Sequence, residues 1–331
     1  MKKTVVAFDM GETYLKIARQ TKEGISVQTV QMPENLISEG TVQMPHMLSD
    51  FLKGVKKQYR LPSGMCGMVV PDELTVCRSV VLPAMTQAQL EVNLPFEFSD
   101  YISGEPQKYV YDYALDEMLY DDEGKPTEMR LTGAVMSKES VSSYVHMFAD
   151  AGFKLRTLIP QEIAIGNIMK QGVVDGRVKA DEEYCIINLG HRSTQIYVFC
   201  GDKQLVYRNV HVGGSFIDQV ISENENVDVF VARTHKNTNF NNILDTDVVR
   251  EMYTRIAVEV RKVINFYRFN NRDSLLENVY FIGGCSNITE LCDTIAEIND
   301  LQKKPMTDIL PASVKDNTDM IGTFAIGVLL Q

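Results

Sequence analysis

The sequence predicts a two-lobed α/β protein, and three observations carry that expectation. A strand, an Asp-x-Gly turn and a second strand open the chain at residues 5–19, and an Asn-x-Gly version of the same pattern recurs at 184–199. The length of 331 residues suits two domains of roughly 100–200 residues each. Between the two patterns, runs of strand period and of helical period alternate.

Element by element, residues 5–8 read as a strand that stops at Asp9 and Gly11, and 14–19 resume as a strand up to the turn at Gly24. This is a hairpin pattern rather than strand-to-helix. Residues 47–59 place Leu48, Phe51, Leu52 and Val55 on one helical face. Strands follow at 66–70 and 75–82, stopped by Pro71 and Pro83. Thr86 is an N-cap for a helix to about 96. Strands at 108–117 and 128–136 flank an acidic hairpin tip, and a helix at 137–151 closes on Gly152. A strand at 153–159 and a helix from 162 to 169 lead to a connector at 171–183, the expected interlobe link.

The second half opens with strands at 184–189, 195–199 and 204–212, followed by Gly213–Gly214. Helices are expected at 216–222, 246–270, 288–298 and 318–330, with strand-like segments at 227–231 and 279–282. The expected organisation is therefore a first lobe at 1–81 and 153–178, interrupted by an inserted module at 82–152. A second lobe covers 179–317, with a smaller subdomain at about 216–270. The helix in 318–331 returns to the first lobe.

Hydrophobic residues make up 44% and charged residues 23%, the balance of a soluble globular protein. The net charge of −11 disfavours nonspecific binding to polyanions such as nucleic acid or anionic lipid. Cys66, Cys77, Cys185, Cys200, Cys285 and Cys292 form no C-x-x-C pair, so no metal-holding cluster is expected. Their apolar surroundings suit reduced core residues in a reducing compartment. The apolar stretch near the N-terminus is shorter than the roughly 7–15 residues of a secretory signal, and no run approaches the ~18 apolar residues of a membrane span. A cytoplasmic protein that does not insert into the membrane is expected.

Three glycine turns carry the chemistry: Asp9-x-Gly11 with Thr13 and Lys16, Asn188-x-Gly190 with Ser193 and Thr194, and Gly283–Gly284 after a strand, with Gly213–Gly214 between the last two. Glycine turns at strand ends can present backbone N–H groups to phosphates, and an acidic group at a strand end can hold Mg²⁺ through waters. Each turn alone is more often only a turn; the order and spacing of the set give it weight.

The set resembles the phosphate and adenosine motifs of actin-like ATPases, and so implies that family's two-lobed, ribonuclease-H-like fold. The inserted module narrows the likeness to the PilM family of type IV pilus assembly proteins, related to FtsA. Its residues are Arg78-x-x-x-Leu82-Pro83-x-Met85, Glu97, Tyr101, Ile102, Tyr111-Asp112-Tyr113, Ala134-x-x-Ser137-Lys138-Glu139, Tyr144 and Ala151-Gly152-Phe153. Further along, Val212-Gly213-Gly214, Ala232, Lys236 and Glu259-Val260-Arg261 keep that family's order. In PilM and FtsA the module's position holds the subdomain called 1C.

The resemblance implies ATP and Mg²⁺ as candidate ligands. Asp9 would face the metal's waters, Lys16 the phosphates, Lys236 the adenosine, and Gln161 would position attacking water. Four departures weaken this reading and allow for the ligands' absence. Glu12 stands where small hydroxyl residues are usual, and two like charges 4 Å apart cost about 4 kcal/mol at an effective dielectric of about 20. Asn188 replaces an aspartate, His191 and Arg192 replace small turn residues, and Arg233 replaces a glutamate. Efficient ATP hydrolysis is not expected.

The function implied is a scaffold at the inner face of the cell membrane. It would hold the cytoplasmic N-terminal peptide of a PilN-like membrane protein in a groove beside the module, near Arg78, Leu82, Glu97 and Tyr101; self-association remains open. An FtsA-like division protein is the first alternative, disfavoured because residues 326–331 read as the fold's last helix and not as a basic amphipathic tail. A working ATPase is the second, disfavoured by Glu12 and Asn188.

Overall fold

The computed structural model describes residues 5–38, 40–314 and 322–330. The chain forms two compact units, one of Met1–Leu15 with Gln31–Ala164 and one of Lys16–Val30 with Ile165–Gln331. The division falls at 164/165 and not in the expected connector.

In chain order, β1 (Val6–Met10) ends at Gly11, whose N–H donates to Tyr14 O at 3.0 Å, and β2 (Tyr14–Thr21) follows. Gly24, at φ +126°, starts β3 (Gly24–Gln31); only glycine adopts that angle freely. The short pair β4 (Ile37–Ser38) and β5 (Thr41–Val42) precedes α1 (Pro45–Gln58). Then come β6 (Met65–Val70), β7 (Thr75–Pro83), α2 (Gln87–Glu97), β8 (Tyr109–Tyr120), β9 (Pro126–Ser137), α3 (Lys138–Asp150) and β10 (Lys154–Pro160). The helix α4 (Gln161–Val174) ends this part of the chain.

In the first unit β6 pairs in parallel with β1 on one side and β10 on the other. Phe8 of β1, Phe148 of α3 and Phe153 form an aromatic cluster with ring centroids 5.2 to 6.2 Å apart. That cluster fastens α3 to the parallel strands. The inserted module is a separate antiparallel sheet of order β7-β9-β8. Its core of Val80, Leu82, Leu131 and Val135 is covered by Leu90 and Leu94 of α2 and by Phe98. Thr86 caps α2 through a reciprocal pair with Gln89, which satisfies N–H groups that a helix start otherwise leaves unpaired. The module's sheet thus begins at Thr75, ahead of the expected residue 82.

The second unit contains β11 (Glu183–Leu189), β12 (Thr194–Cys200), β13 (Lys203–Val210), α5 (Gly214–Glu225), α6 (Val229–Thr238), α7 (Asp247–Asn270), β14 (Asn278–Ile282), α8 (Thr289–Ile298), β15 (Gln302–Lys304) and α9 (Thr323–Leu329). Its sheet has the order β13-β12-β11-β14-β15. β11, β12 and β13 form an antiparallel meander, and β14 and β15 add in parallel. The expected internal echo is visible: β1 and β11 each lead through a glycine turn into the next strand, and each takes a later strand as its parallel neighbour. One face of this sheet packs against α5, α7 and α8 through Ile187, Ile196, Ile217, Tyr253, Ile256 and Leu291, among others.

Three expectations change. The segment expected as a connector from 171 is still helical to Val174. Gly172 does not break the helix; a Cβ there would lie 2.6 Å from Val178 and 2.9 Å from Ile309 O, so glycine permits close packing. The strand-like 227–231 is helical from Val229, because Asp228 caps it by accepting from Phe230 N at 2.8 Å and Ala232 and Lys236 turn inward four residues apart. β-Branched propensity yields here to capping and packing. The expected helix at 318–330 is seen as Thr323–Leu329, its residues 318–321 lying outside the described residues. Among the described residues, no helix is long and apolar enough to cross a membrane.

Candidate functional site

The glycine turns of the second unit converge on one polar cradle. β11 ends in Asn188 and Leu189, and Gly190 N donates to Ser193 O at 3.0 Å across the turn. Gly214 N donates to Gly190 O at 3.0 Å and Ser215 N to His191 O at 2.7 Å, so the start of α5 is laced onto that turn. Thr194 Oγ1 donates to Val212 O at 2.7 Å. A Cβ on Gly213 would sit 2.7 Å from both His191 O and Ser193 N, and that is why no side chain fits. Gly283, at φ +91°, brings the end of β14 against Asn188 Oδ1 and Leu189 O; Gly284 then begins a 3₁₀ turn.

The cradle's charges are spent on one another. Asp218, fully buried on α5, lies 2.5 Å from Lys236 Nζ and 3.2 Å from Arg233 Nε. Lys236 Nζ also donates to Gly214 O at 3.0 Å. Arg233 Nη2 is 3.1 Å from His191 Nε2, and His191 Nδ1 is 3.8 Å from Asp218. Burial first, then the Arg233, Lys236 and Arg192 charges, push the His191 imidazole down to about 3. It is therefore neutral at physiological pH and accepts from Arg233 rather than forming an ion pair with Asp218. Asn188 Nδ2 donates to Gln195 Oε1 at 2.6 Å, so its amide is held within the sheet.

In the first unit, Asp9 is buried at the end of β1, and Thr13 O accepts from Met32 N at 2.9 Å beyond the Gly11 turn. Asp9 and Ile159 both stand opposite Val69 in the parallel ladder, so Gln161, opening α4, lies at the same C-terminal strand edge as Asp9. Glu162 beside it is buried, and one of its carboxylate oxygens has no hydrogen-bond partner. Burial, then the nearby Asp72 charge, push it up to about 8. Lys16, in the second unit, has its Cβ beside Gly322.

Arg78, Leu82, Glu97 and Tyr101, expected beside a peptide groove, do not line the groove found on the module's sheet. Leu82 is in the module's core. Arg78 donates to Glu97 O at 3.0 Å and lies 4.8 Å from the Tyr101 ring, closing the α2 side of the sheet on itself. An open groove of about 230 Å³ instead lies on the opposite face of the module's sheet. Its walls include Val110 and Asp112 of β8, Ala134 and Met136 of β9, Val141 and Val145 of α3, and Leu155, Arg156 and Leu158 of β10. Side chains alternate along a strand, so Arg78 and Leu82 share one face while Thr75 and Cys77 share the other. Thr75 lines the groove. The strand parity at 75–83 was the available signal.

A family model described as "Type IV pilus assembly protein PilM" matches residues 8–310. No curated protein matches the chain. Among solved structures, a chain of the "PilM-PilN type IV pilus biogenesis complex" is similar at 19% identity and TM-score 0.84, covering 100% of this chain and 98% of that one. Ethanolamine utilization protein EutJ from Carboxydothermus hydrogenoformans matches at 15% identity and TM-score 0.61, with 100% and 90% covered. MreB5 of Spiroplasma citri bound to AMPPNP matches at 9% identity and TM-score 0.56, with 99% and 95% covered. The fold is that of the actin-like ATPases.

Proposed function

The chain belongs to the family of the type IV pilus assembly protein PilM, and from that premise we propose that it is a pilus-assembly scaffold that grips an extended apolar peptide. The occupant would be the cytoplasmic N-terminal segment of a PilN-like membrane protein, which would hold this chain at the inner face of the membrane. The solved complex with PilN supports the choice of partner. The observation that carries the reading is the groove between β8 and β10. Among the described residues each of these strands pairs on one side only, β8 with β9 and β10 with β6. Unpaired strand edges beside an apolar trough are what an extended peptide uses, with main-chain hydrogen bonds for affinity and pockets for alternate side chains.

The module would correspond to the 1C subdomain. Nucleotide binding is read as weak, because Lys236 and Arg233 serve Asp218 and Asn188 serves Gln195. Asp9, Gly11, Thr13, Lys16, Gly190, Ser193, Thr194, Gly213, Gly214, Gly283 and Gly284 remain the proposed contacts, with Asp9 toward any Mg²⁺. Gln161 stands at a strand edge suited to water positioning, without the charges that would make turnover efficient.

Fluorescence anisotropy with a labelled peptide of the partner's N-terminal segment tests the scaffold reading. Val110→Glu or Val145→Glu, both at exposed groove positions, should weaken binding at least about tenfold, or about 1.4 kcal/mol. Arg78→Ala, on the other face, should leave it unchanged. Groove variants that bind like the wild type would remove the reading.

A further inference from the structure

Two carboxylates stand at one end of the groove. In the ladder between β6 and β10 the last pair is Val70 opposite Pro160, and both residues line the groove. Asp72 lies two residues beyond Val70, and Glu162 two beyond Pro160. Paired strands run about 4.8 Å apart, so the two acids leave the sheet as neighbours. Thr75, three residues past Asp72, lines the groove as well. The turn that carries Asp72 is therefore bounded on both sides by groove wall.

Glu162 is 8% exposed, and its Oε2 is buried with no hydrogen-bond partner. Beyond burial, the strongest influence on its charge is a like one, Asp72. Both acids also reach the groove face of the module's sheet. Cys77, two residues along β7 from Thr75, shares that face. Its thiol is pushed up by burial and then by the charges of Glu162, Asp72 and Asp116. Cys77, Ala134 and Asp112 form one row across the sheet, and Ala134 and exposed Asp112 line the groove. Among the described residues the lining holds one basic side chain, Arg156. It stands four residues back along β10 from Pro160, about 13 Å at about 3.3 Å per residue.

A buried carboxylate with an open acceptor beside a second acid is a costly arrangement, and a cation between them would relieve it. We propose that this end of the groove is a cation subsite, in which Glu162 and Asp72 take the head group of a lysine or arginine of the bound peptide. An ammonium or guanidinium brings the donors that the Glu162 oxygen lacks. Asp112 adds a further negative group to the wall. The inference rests on the groove being the peptide site and states what that peptide carries: apolar side chains for the trough and one basic side chain for its acidic end. A metal ion suits the pair less, because among the described residues no group of three His, Cys, Asp or Glu is placed to hold one.

Fluorescence anisotropy with the labelled N-terminal segment of the partner tests the subsite. Each lysine and arginine of the segment is replaced in turn by glutamine. One replacement should weaken binding to the wild type at least about tenfold. The same replacement should weaken binding to Glu162→Gln by no more than about twofold, since the two changes remove one shared contact. Asp72→Asn serves the same cycle should Glu162→Gln fail to fold. If no replacement weakens binding while Val145→Glu still does, the groove stands as the peptide site and the cation subsite falls. If Val145→Glu binds like the wild type, the groove reading itself fails and takes the subsite with it. A replacement that weakens the wild type and Glu162→Gln equally puts the basic side chain elsewhere and overturns the proposal. Loss of binding on acetylating the segment's amino terminus alone would give the pair to the chain's own ammonium, which also overturns it.

Discussion

The cradle of the second unit and the groove of the first are both built at strand ends, yet they dispose of their bonding capacity in opposite ways. In the cradle the cations close on a carboxylate of the same unit, Asp218, and the Asn188 amide closes on Gln195. In the groove two strands keep an edge that no described strand pairs, and the walls between them are mostly apolar. A fold whose relatives include a nucleotide-bound protein can thus keep the glycine turns and still satisfy their neighbourhood internally. On the proposed function, binding capacity would reside where bonds are left unmade.

The largest test of that contrast is Asp218→Asn. Removing one partner of a buried ion cluster leaves Lys236 and Arg233 uncompensated, and the expected loss is about 3–5 kcal/mol, read by urea denaturation. Peptide binding by the folded fraction should be unchanged. A variant as stable as the wild type would mean that the cradle's cations do not depend on Asp218.

The two units should also respond to pH with opposite signs. His191 is held down to about 3, against its usual 6.5. Its stabilisation is complete above about pH 6.5 and falls as pH drops toward 3, because only the unfolded chain takes up the proton. Glu162 is held up to about 8, against its usual 4.5. Its contribution is complete below about pH 4.5 and is lost as pH rises through 8. One pKa unit corresponds to about 1.4 kcal/mol, so each residue can move stability by a few kcal/mol across its window. Between pH 4.5 and 6.5 the two slopes oppose. Urea midpoints against pH should flatten on the acid side in His191→Asn and on the alkaline side in Glu162→Gln. Equal slopes in both variants would break the contrast.

Part of this was legible in the sequence, for physical reasons. The strand–turn–strand echo is local, and a turn at a strand end needs particular residues, so Gly11, Gly24, Gly190 and Gly283 were readable. So was the Thr86 cap, whose partner Gln89 is three residues away. The groove was not, because it depends on which strands end up at sheet edges and on which face each strand residue takes. The expected contacts Arg78 and Leu82 lie on the face of β7 opposite to Thr75, which lines the proposed groove. Asp218 was missed although a signal existed: it falls at an inward position of α5 beside Ile217 and Ile221, and a carboxylate there demands a cation.

Smaller effects sharpen the cradle's geometry. Gly213→Ala places a methyl 2.7 Å from two backbone atoms, and such overpacking costs about 1–3 kcal/mol. At Gly166 in α4 a methyl would meet nothing within 4 Å, so Gly166→Ala should instead stabilise by up to about 1 kcal/mol. Thermal melts of the two variants should therefore shift in opposite directions. A harmless Gly213→Ala would show that the turn at 190–193 can retreat from α5.

The smallest effect expected is at an ion pair that resembles the cradle's chemistry but lies in water. Arg130 Nη1 and Glu117 Oε2 are 3.2 Å apart across β8 and β9, with both side chains about half exposed. Exposed pairs contribute about 1 kcal/mol or less and are screened by salt. Glu117→Gln should lower stability by no more than that at low salt and not at all near 1 M, where the Debye length is about 3 Å. The Asp218→Asn loss should persist at high salt, because solvent ions do not reach a fully buried carboxylate. If both losses faded together with salt, burial would not be what separates the closed cradle from the open module.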